Sequence, residues 1–594
     1  MTTFSRRSLM TGAAALGLLA ALPTRALALP APPPTTPNRR LFAPEEQRFA
    51  SYLTAVSPMV ADMDSSGFFA GGWWRSPAVS YNARVQEHVY TLAWFATQSR
   101  TWNPYRGDAT LLAALDAGLG HYLGLQHDDG SWPEYSPTEH GLAATGFGLG
   151  YLSKTNALLR AANILPQRQS QITSALRKAM TWLLNPGNGS AWQPTIHYAN
   201  QVTAGLAGSS LALNQDPDPA LRQQLTEAFA RLAANGQSPS GYFYELTGAD
   251  TNYNFEVMLP EMADAWRQSN NANLVTMARK YTDWLSYNLL REPDGSGWFA
   301  NVAPNSRTSA RFYADVRPDP ERTALNNQFV PVVPNLGAFL SSREDLAAAR
   351  AAWAEDPAPV PALVKQDTSP RILTHAIYGE RYPTRAQRTA AIAKLPYQQA
   401  HFTEIRSDQG QDFLFLRRPQ FYLGGYFGTR RATSLGRTGL TFLWHPVAGT
   451  VVQSMNNNDH ACWATVFPGQ VPDANGPQQA EFLGGEPYRF RYRTANGSVV
   501  TDVTVRPDRI TRSVQANAPA TEQIPLVVRD SDKVALDAQG LTLTRGQVVL
   551  RFDWAQPRQP AIRASSITYP GRVMHILTVP HDGTFTLTVS VLDS

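Results

Sequence analysis

PSGYFYELTGADTNYNFEVM, residues 239–258, runs from a glycine–aromatic turn through Glu245 and a second turn to Tyr253, where a helix begins. The opening turn recurs. SSGFF (65–69), DGSWPEY (129–135), NGSAW (188–192), SGYFYE (240–245) and DGSGWF (294–299) carry it at Gly67, Gly130, Gly189, Gly241 and Gly297, with separations of 63, 59, 52 and 56 residues. That length holds two helices and their connections, so the turns mark an array of helical hairpins. The text between them agrees: VQEHVYTLAWFATQ, TLLAALDAGLGHYLGL, ITSALRKAMTWLL, LRQQLTEAFARLAA and LVTMARKYTDWLSYNLL place apolar residues three and four apart. Hairpins with large aromatic residues in equivalent loops suit a ring whose loops line one end.

From about residue 400 the period changes to two. QDFLFLRR, QFYLGGYF, GLTFLW, TVVQSM, YRFRYRT, SVVTDVTV, LTLTRGQVVLRF and TFTLTVSVLD read as strands, with hairpin turns at Asn496-Gly497 and Asp582-Gly583. The expected fold is therefore multidomain: a helical toroid over 43–350, a connector over 351–399, and an antiparallel β-sandwich over 400–594. Ahead of these, residues 1–28 read as a twin-arginine signal peptide, with Ser5-Arg6-Arg7, an apolar core over 12–22 and Ala26-Leu27-Ala28 as cleavage site. LPAPPPTTPNRR opens a proline-rich leader over 29–42, expected to be extended. The apolar core is too short to span a membrane and no other stretch approaches that length. A bacterial export, periplasmic or secreted, is expected.

A single cysteine, Cys462, excludes an intramolecular disulfide, so stability must come from buried area. The net charge of +5 falls to about +2 once Arg6, Arg7 and Arg25 leave with the signal. No basic stripe with interleaved aromatics is present, which argues against nucleic acid as a partner.

If the loops are equivalent, residues ten to twelve positions after each glycine face one end of the ring. These are His140, Asn200 and Tyr253, and the first loop supplies Asn82 and Arg84 in the corresponding region. Around them, His197 lies one turn before Asn200, and Glu245 is placed to cap or to bind sugar hydroxyls. Trp132 is a core residue first and a sugar platform second. HDDGSW (127–132) is similar to a cation loop but reads better as a polar turn.

The segment SGYFYELTGADTNYNF, together with Asn200 and its spacing to Tyr253, resembles heparinase II/III-like and alginate-lyase-like polysaccharide lyases. The resemblance implies an incomplete (α/α) toroid followed by an antiparallel β-sandwich, with a cleft between them. It also implies cleavage of an acidic polysaccharide by β-elimination, without metal or cofactor. Asn200 would neutralise the uronate carboxylate. Tyr253, helped by a histidine, would take the C5 proton and return one to the leaving oxygen. Tyrosine ordinarily titrates near ~10, so a neighbouring cation would assist. In the β region His401, His445 and His460 compete for the cleft, with His401 preferred and His460 next; Tyr426 and Arg430 are expected to touch substrate. Two other readings stand beside this one: a toroid glycoside hydrolase using Asp129 with Glu134 or Glu245 with Asp250, and a glycan-binding protein without catalysis.

Overall fold

The computed structural model describes residues 37–303, 312–314, 323–431, 436–455 and 461–592. Long helices alternate between two layers. Val89–Thr97, Leu142–Ala162, Ala199–Gln215 and Leu259–Ser269 form the inner layer, each packed on the next; Ala109–Gly124, Pro166–Leu184, Pro219–Asn235 and Ala272–Asn288 form the outer one. Burial follows the composition. Inner helices such as AGLAGSSLAL are apolar or small all round and are buried all round, whereas the outer helices bury one stripe. The inner pair 142–162 and 199–215 approaches so closely that a methyl group at Gly146 would lie 2.3 Å from the Gln201 carbonyl oxygen.

The inner layer returns to its start through short elements. The turns Ala324–Phe329 pack on Leu259–Ser269, and helix Pro370–Ala376 packs on those turns, on Gln47–Ala61 and on Val89–Thr97. Tyr52 donates to the Ser369 carbonyl at 2.5 Å and Lys365 pairs with Asp62 at 2.5 Å. The fold is thus an (α/α) toroid whose final hairpin is abbreviated. Much of the expected connector 351–399 serves as that last sector. The end of the expected leader is docked too: Arg39 is buried and donates to the Ala358 carbonyl at 2.9 Å, and Phe42 stacks on Trp102.

Helices that run alternately up and down put the connections 62–88, 125–141, 185–198 and 236–250 at one end. The equivalence of the loops is visible in detail. Gly67, Gly130 and Gly241 have φ of +90°, +97° and +111°, and each lies against a backbone carbonyl of the next outer helix, at Ala117, Lys178 and Lys280. A side chain there would clash and would strain the backbone. A glutamine stitches each contact. Gln86 bonds the carbonyls of Gly67 and Gly118, Gln126 those of Gly130 and Ala175, and Gln237 those of Gly241 and Met277. Gly189 departs from the set, with no close neighbour and no positive φ.

The C-terminal part is a sandwich of a nine-stranded and an eight-stranded antiparallel sheet. Strands Gln411–Arg417, Tyr422–Gly428, Gly439–His445 and Gly449–Gln453 are almost continuously buried. One face of their sheet meets the second sheet, and the other presents Phe413, Phe415, Tyr422 and Phe442 to the toroid. This explains unbroken runs such as GLTFLW. The outer sheet alternates, as in YRFRYRT, because its far face is solvated. No helix among the described residues is long and apolar enough to cross a membrane.

Candidate active site

The loop of 238–253 and the start of helix Ala199–Gln215 meet a β-hairpin tip from the sandwich. Tyr198 and Glu245 form an isolated antiparallel bridge, which brings Asn200 beside Glu245. Asn200 Nδ2 donates to Glu245 Oε2 at 2.6 Å, and both side chains are buried. Asp250 Oδ1 accepts the Tyr253 backbone N–H at 3.1 Å, fixing the start of the helix that carries the phenol. Tyr253 itself is half-buried.

The turn after Tyr253 is a π-turn over Asn254–Met258, with the Leu259 N–H reaching the Asn254 carbonyl. Pro260 explains it: proline has no N–H to donate and its ring would clash with the carbonyl four residues earlier. Widening the turn accommodates both, and Asn326 Nδ2 donates to the Phe255 carbonyl at 2.9 Å. Such single wide turns recur at functional sites.

The tip Asp408-Gln409-Gly410-Gln411 closes this region from the β side. Gln409 and Gly410 have φ of +48° and +74°, the sign that tight two-residue hairpins require. Asp408 Oδ2 accepts from Tyr244 at 2.8 Å and Tyr242 at 3.2 Å. Burial first, and then the Asp408 carboxylate, push both phenols above their ordinary range, so they act as neutral donors. Gln409 Nε2 donates to Thr195 Oγ1 at 2.5 Å, and Gln411 Nε2 to the Thr247 carbonyl at 2.7 Å. Arg430 reaches the same turn through Thr247 Oγ1 at 2.7 Å. Tyr426 is buried behind it, donating to Gln411 Oε1 at 2.9 Å and stacked on Phe413.

Of the residues expected at the site, Asn200, Glu245, Tyr253 and Arg430 gather along this rim, and exposed His197 joins them three residues from Asn200. Tyr426 supports the tip from beneath rather than facing solvent. Others stand elsewhere. His401 caps the opposite end of strand Phe402–Asp408, about 23 Å from Asp408 at the usual rise per residue, and pairs with Glu486 at 3.0 Å. His445 is a core residue: its Nδ1 accepts the Val447 and Ala448 N–H groups, and burial lowers its pKa to about 4. His460 lies outside the described residues.

Asn82 and Arg84 are buried in the toroid. Asn82 bonds the Pro77 carbonyl and the Arg84 N–H. Arg84 pairs with Glu87, stands 4.0 Å from Glu134 and stacks on Phe147 at 4.3 Å. Burial alone would lower its pKa, but the two carboxylates outweigh that and hold it above the ordinary value. Glu87 moves up to about 6 through burial, against the pull of Arg84. Trp132 is fully buried and donates to the Tyr122 carbonyl, so it offers no ring to a sugar; Tyr135, three residues on, is exposed.

His140 is exposed and braces its own loop, pairing with Asp129 at 2.7 Å and contacting Ser131 at 2.8 Å and the His127 ring. The carboxylates of the hydrolase reading are engaged as well. Asp129 organises its turn through Ser131, Glu134 is held by Arg75 at 2.5 Å, and Asp250 caps a helix.

A ring of helical hairpins leading into a two-sheet antiparallel sandwich, with the loops of one meeting a hairpin of the other, is the toroid-plus-sandwich architecture of polysaccharide lyases. Solved structures bear this out. The chain is similar to a chondroitin AC lyase of Streptomyces coelicolor A3, solved in complex with chondroitin sulphate, at TM-score 0.50 and 13% identity over 93% of this chain and 79% of that one. It is similar to a heparinase III at TM-score 0.51 and 9% identity, over 90% and 84% of the two chains. No family model matches the sequence, and no curated protein does. The likeness is one of fold.

Proposed function

We propose that the protein is an exported lyase that cleaves a uronic-acid-containing polysaccharide by β-elimination. The observation that supports this reading is the buried Asn200–Glu245 pair on the loop that leads into Tyr253, with the sandwich tip bonded to the same loop. A polymer can lie in a cleft between two such bodies.

In the proposed reaction the substrate carboxylate sits against the Asn200 side chain, whose amide is oriented by Glu245. Hydrogen bonding there disperses the charge that develops when the C5 proton leaves. The Tyr253 oxygen takes that proton, the C4–O bond breaks, and the leaving oxygen receives a proton from the same phenol or from His197 at the rim. The product holds a C4=C5 double bond conjugated with its carboxylate, and no water is consumed. A hydrolase would instead use two carboxylates flanking the bond and would add water to the product.

Tyr253→Phe tests the reading. The ring and its packing remain while the reacting oxygen is lost, which should lower elimination by about 10²–10⁴, or roughly 3–5 kcal/mol of barrier. Product formation is followed as near-ultraviolet absorbance on alginate, chondroitin sulfate and heparan sulfate. Near-wild-type elimination by the variant would remove Tyr253 from the chemistry; a product heavier by one water would assign a hydrolase.

A further inference from the structure

Arg430 is held differently from three arginines that pair with carboxylates where the two domains meet, and unlike Arg417, which is also held by carbonyl oxygens but is buried, it is partly exposed. Arg406 pairs with Asp283 and Glu404, Arg529 with Glu292, and Arg572 with Asp294. Arg430 is fixed only by neutral acceptors. Its Nε donates to the Gln409 carbonyl, Nη2 to Gln409 Oε1 at 2.9 Å and Nη1 to Thr247 Oγ1 at 2.7 Å. Among the described residues no carboxylate pairs with it, and Asp408, the nearest in sequence to its partner Gln409, is taken by two tyrosines.

The guanidinium is therefore pre-positioned, partly exposed and without a carboxylate partner among the described residues. Of its five N–H donors three are used, leaving one on each Nη for an incoming oxyanion. The turn that holds it places it near the chemistry, because Thr247 is two residues from Glu245, the partner of Asn200. The opposite support, Gln409, is tied through Thr195 to the segment that leads into Asn200. A cation held rigid where two domains meet, with no carboxylate partner among the described residues, offers a place for an anion.

We propose that Arg430 is a specificity-determining residue that binds a carboxylate or sulfate on a sugar unit next to the one held by Asn200. This rests on the elimination reading above, since it assumes an acidic glycan in the cleft. Fixing the fork in advance reduces the ordering cost of binding. The role needs Arg rather than Lys, because a lysine ammonium cannot keep the three bonds and present two further donors in one plane.

The test uses the Tyr253→Phe chain, which should bind without turnover, with and without Arg430→Gln or Arg430→Lys. Retardation in native gels containing alginate, chondroitin sulfate, chemically desulfated chondroitin or dextran gives an apparent Kd for each polymer, and thermal melts check folding. We expect retardation by the acidic polymers and not by dextran, weakened about tenfold or more by Arg430→Gln. Arg430→Lys should lie between and serves as the comparison if the glutamine variant melts early. Loss on the sulfated polymer alone assigns sulfate; loss on all acidic polymers assigns carboxylate. An unchanged Kd in both variants on every polymer overturns the inference, whether or not the wild type makes unsaturated product. Binding that depends on Arg430 in a wild type that makes no such product overturns the elimination reading and leaves the anion site standing. Failure of the parent to bind any acidic polymer overturns both.

Discussion

Asn200→Ala should damage both stability and turnover, and the structure separates the two. The Asn200 amide and the Glu245 carboxylate meet at 2.6 Å with both side chains buried, at the bridge that joins the start of helix Ala199–Gln215 to the 238–253 loop. Removing the amide takes a donor from a buried carboxylate. Hydrogen bonds to charged groups contribute about 1.5–3 kcal/mol, so the variant should lose about that much stability and a few degrees of Tm. If Asn200 also disperses charge in the transition state, turnover should fall a further ~10²–10³ beyond any loss of folded protein.

A cycle with Glu245→Ala isolates the pair. Once Glu245 is gone, the stability cost of Asn200→Ala should largely vanish, and the non-additivity measures the bond. The assay is thermal melting monitored by circular dichroism, alongside initial rates of double-bond formation normalised to folded enzyme. A variant that melts like the wild type would show that the bond does not hold the loop. One that melts early but retains full specific activity would make Asn200 a structural tie, and the substrate carboxylate would have to be held elsewhere.

The loop glycines make a sharper contrast. Gly241→Ala would place a methyl group 2.6 Å from the Lys280 carbonyl oxygen at a φ of +111°, so chemical denaturation should show a loss of more than ~2 kcal/mol. Gly189→Ala, with nothing within 4 Å, should stay within about 0.5 kcal/mol; equal effects at the two positions would refute the geometry. His88 governs part of the acid response. It is fully buried beside Thr91 and Thr368, and burial lowers its pKa to about 3. The folded state keeps the imidazole neutral while the unfolded chain takes up a proton below ~6.5, so this contribution is complete above pH 6.5 and is lost as pH falls towards 3. By pH 5 the loss is about 2 kcal/mol. In His88→Gln, melts compared between pH 7 and pH 5 should show a smaller drop than in the wild type, and an identical drop would remove His88 as the cause.

The toroid was legible because its construction repeats. Gly67, Gly130 and Gly241 must each meet the backbone of the next outer helix, and that demand returns in SGFF, DGSW and SGYF, with the Gly189 turn keeping the spacing without the contact. The stitching glutamines were legible in principle, since Gln126 and Gln237 each stand four residues before their glycine; aligning the repeats on the glycines would expose them. The two sheet faces were also written in the chain, as the unbroken GLTFLW against the alternating YRFRYRT. Side-chain direction was not. Counting from the glycines brought Asn200 and Tyr253 to one rim, but the same count selected His140, which braces its own loop, and the looser correspondence in the first loop selected Asn82 and Arg84, which turn inward to a buried charge cluster. A one-residue difference along a helix start rotates a side chain by about 100°, and the spacing varied by that much between loops. His401 failed for a different reason. Period-two alternation identifies a strand but not which of its ends reaches the Asn200 loop, and here the tip at Asp408-Gln409 does so, while at the other end Phe402 packs on Tyr287 and His401 pairs with Glu486. The anchoring of Arg430 on neutral acceptors depends on contacts between residues 183 positions apart in the chain, so only the folded structure could single it out from the other arginines.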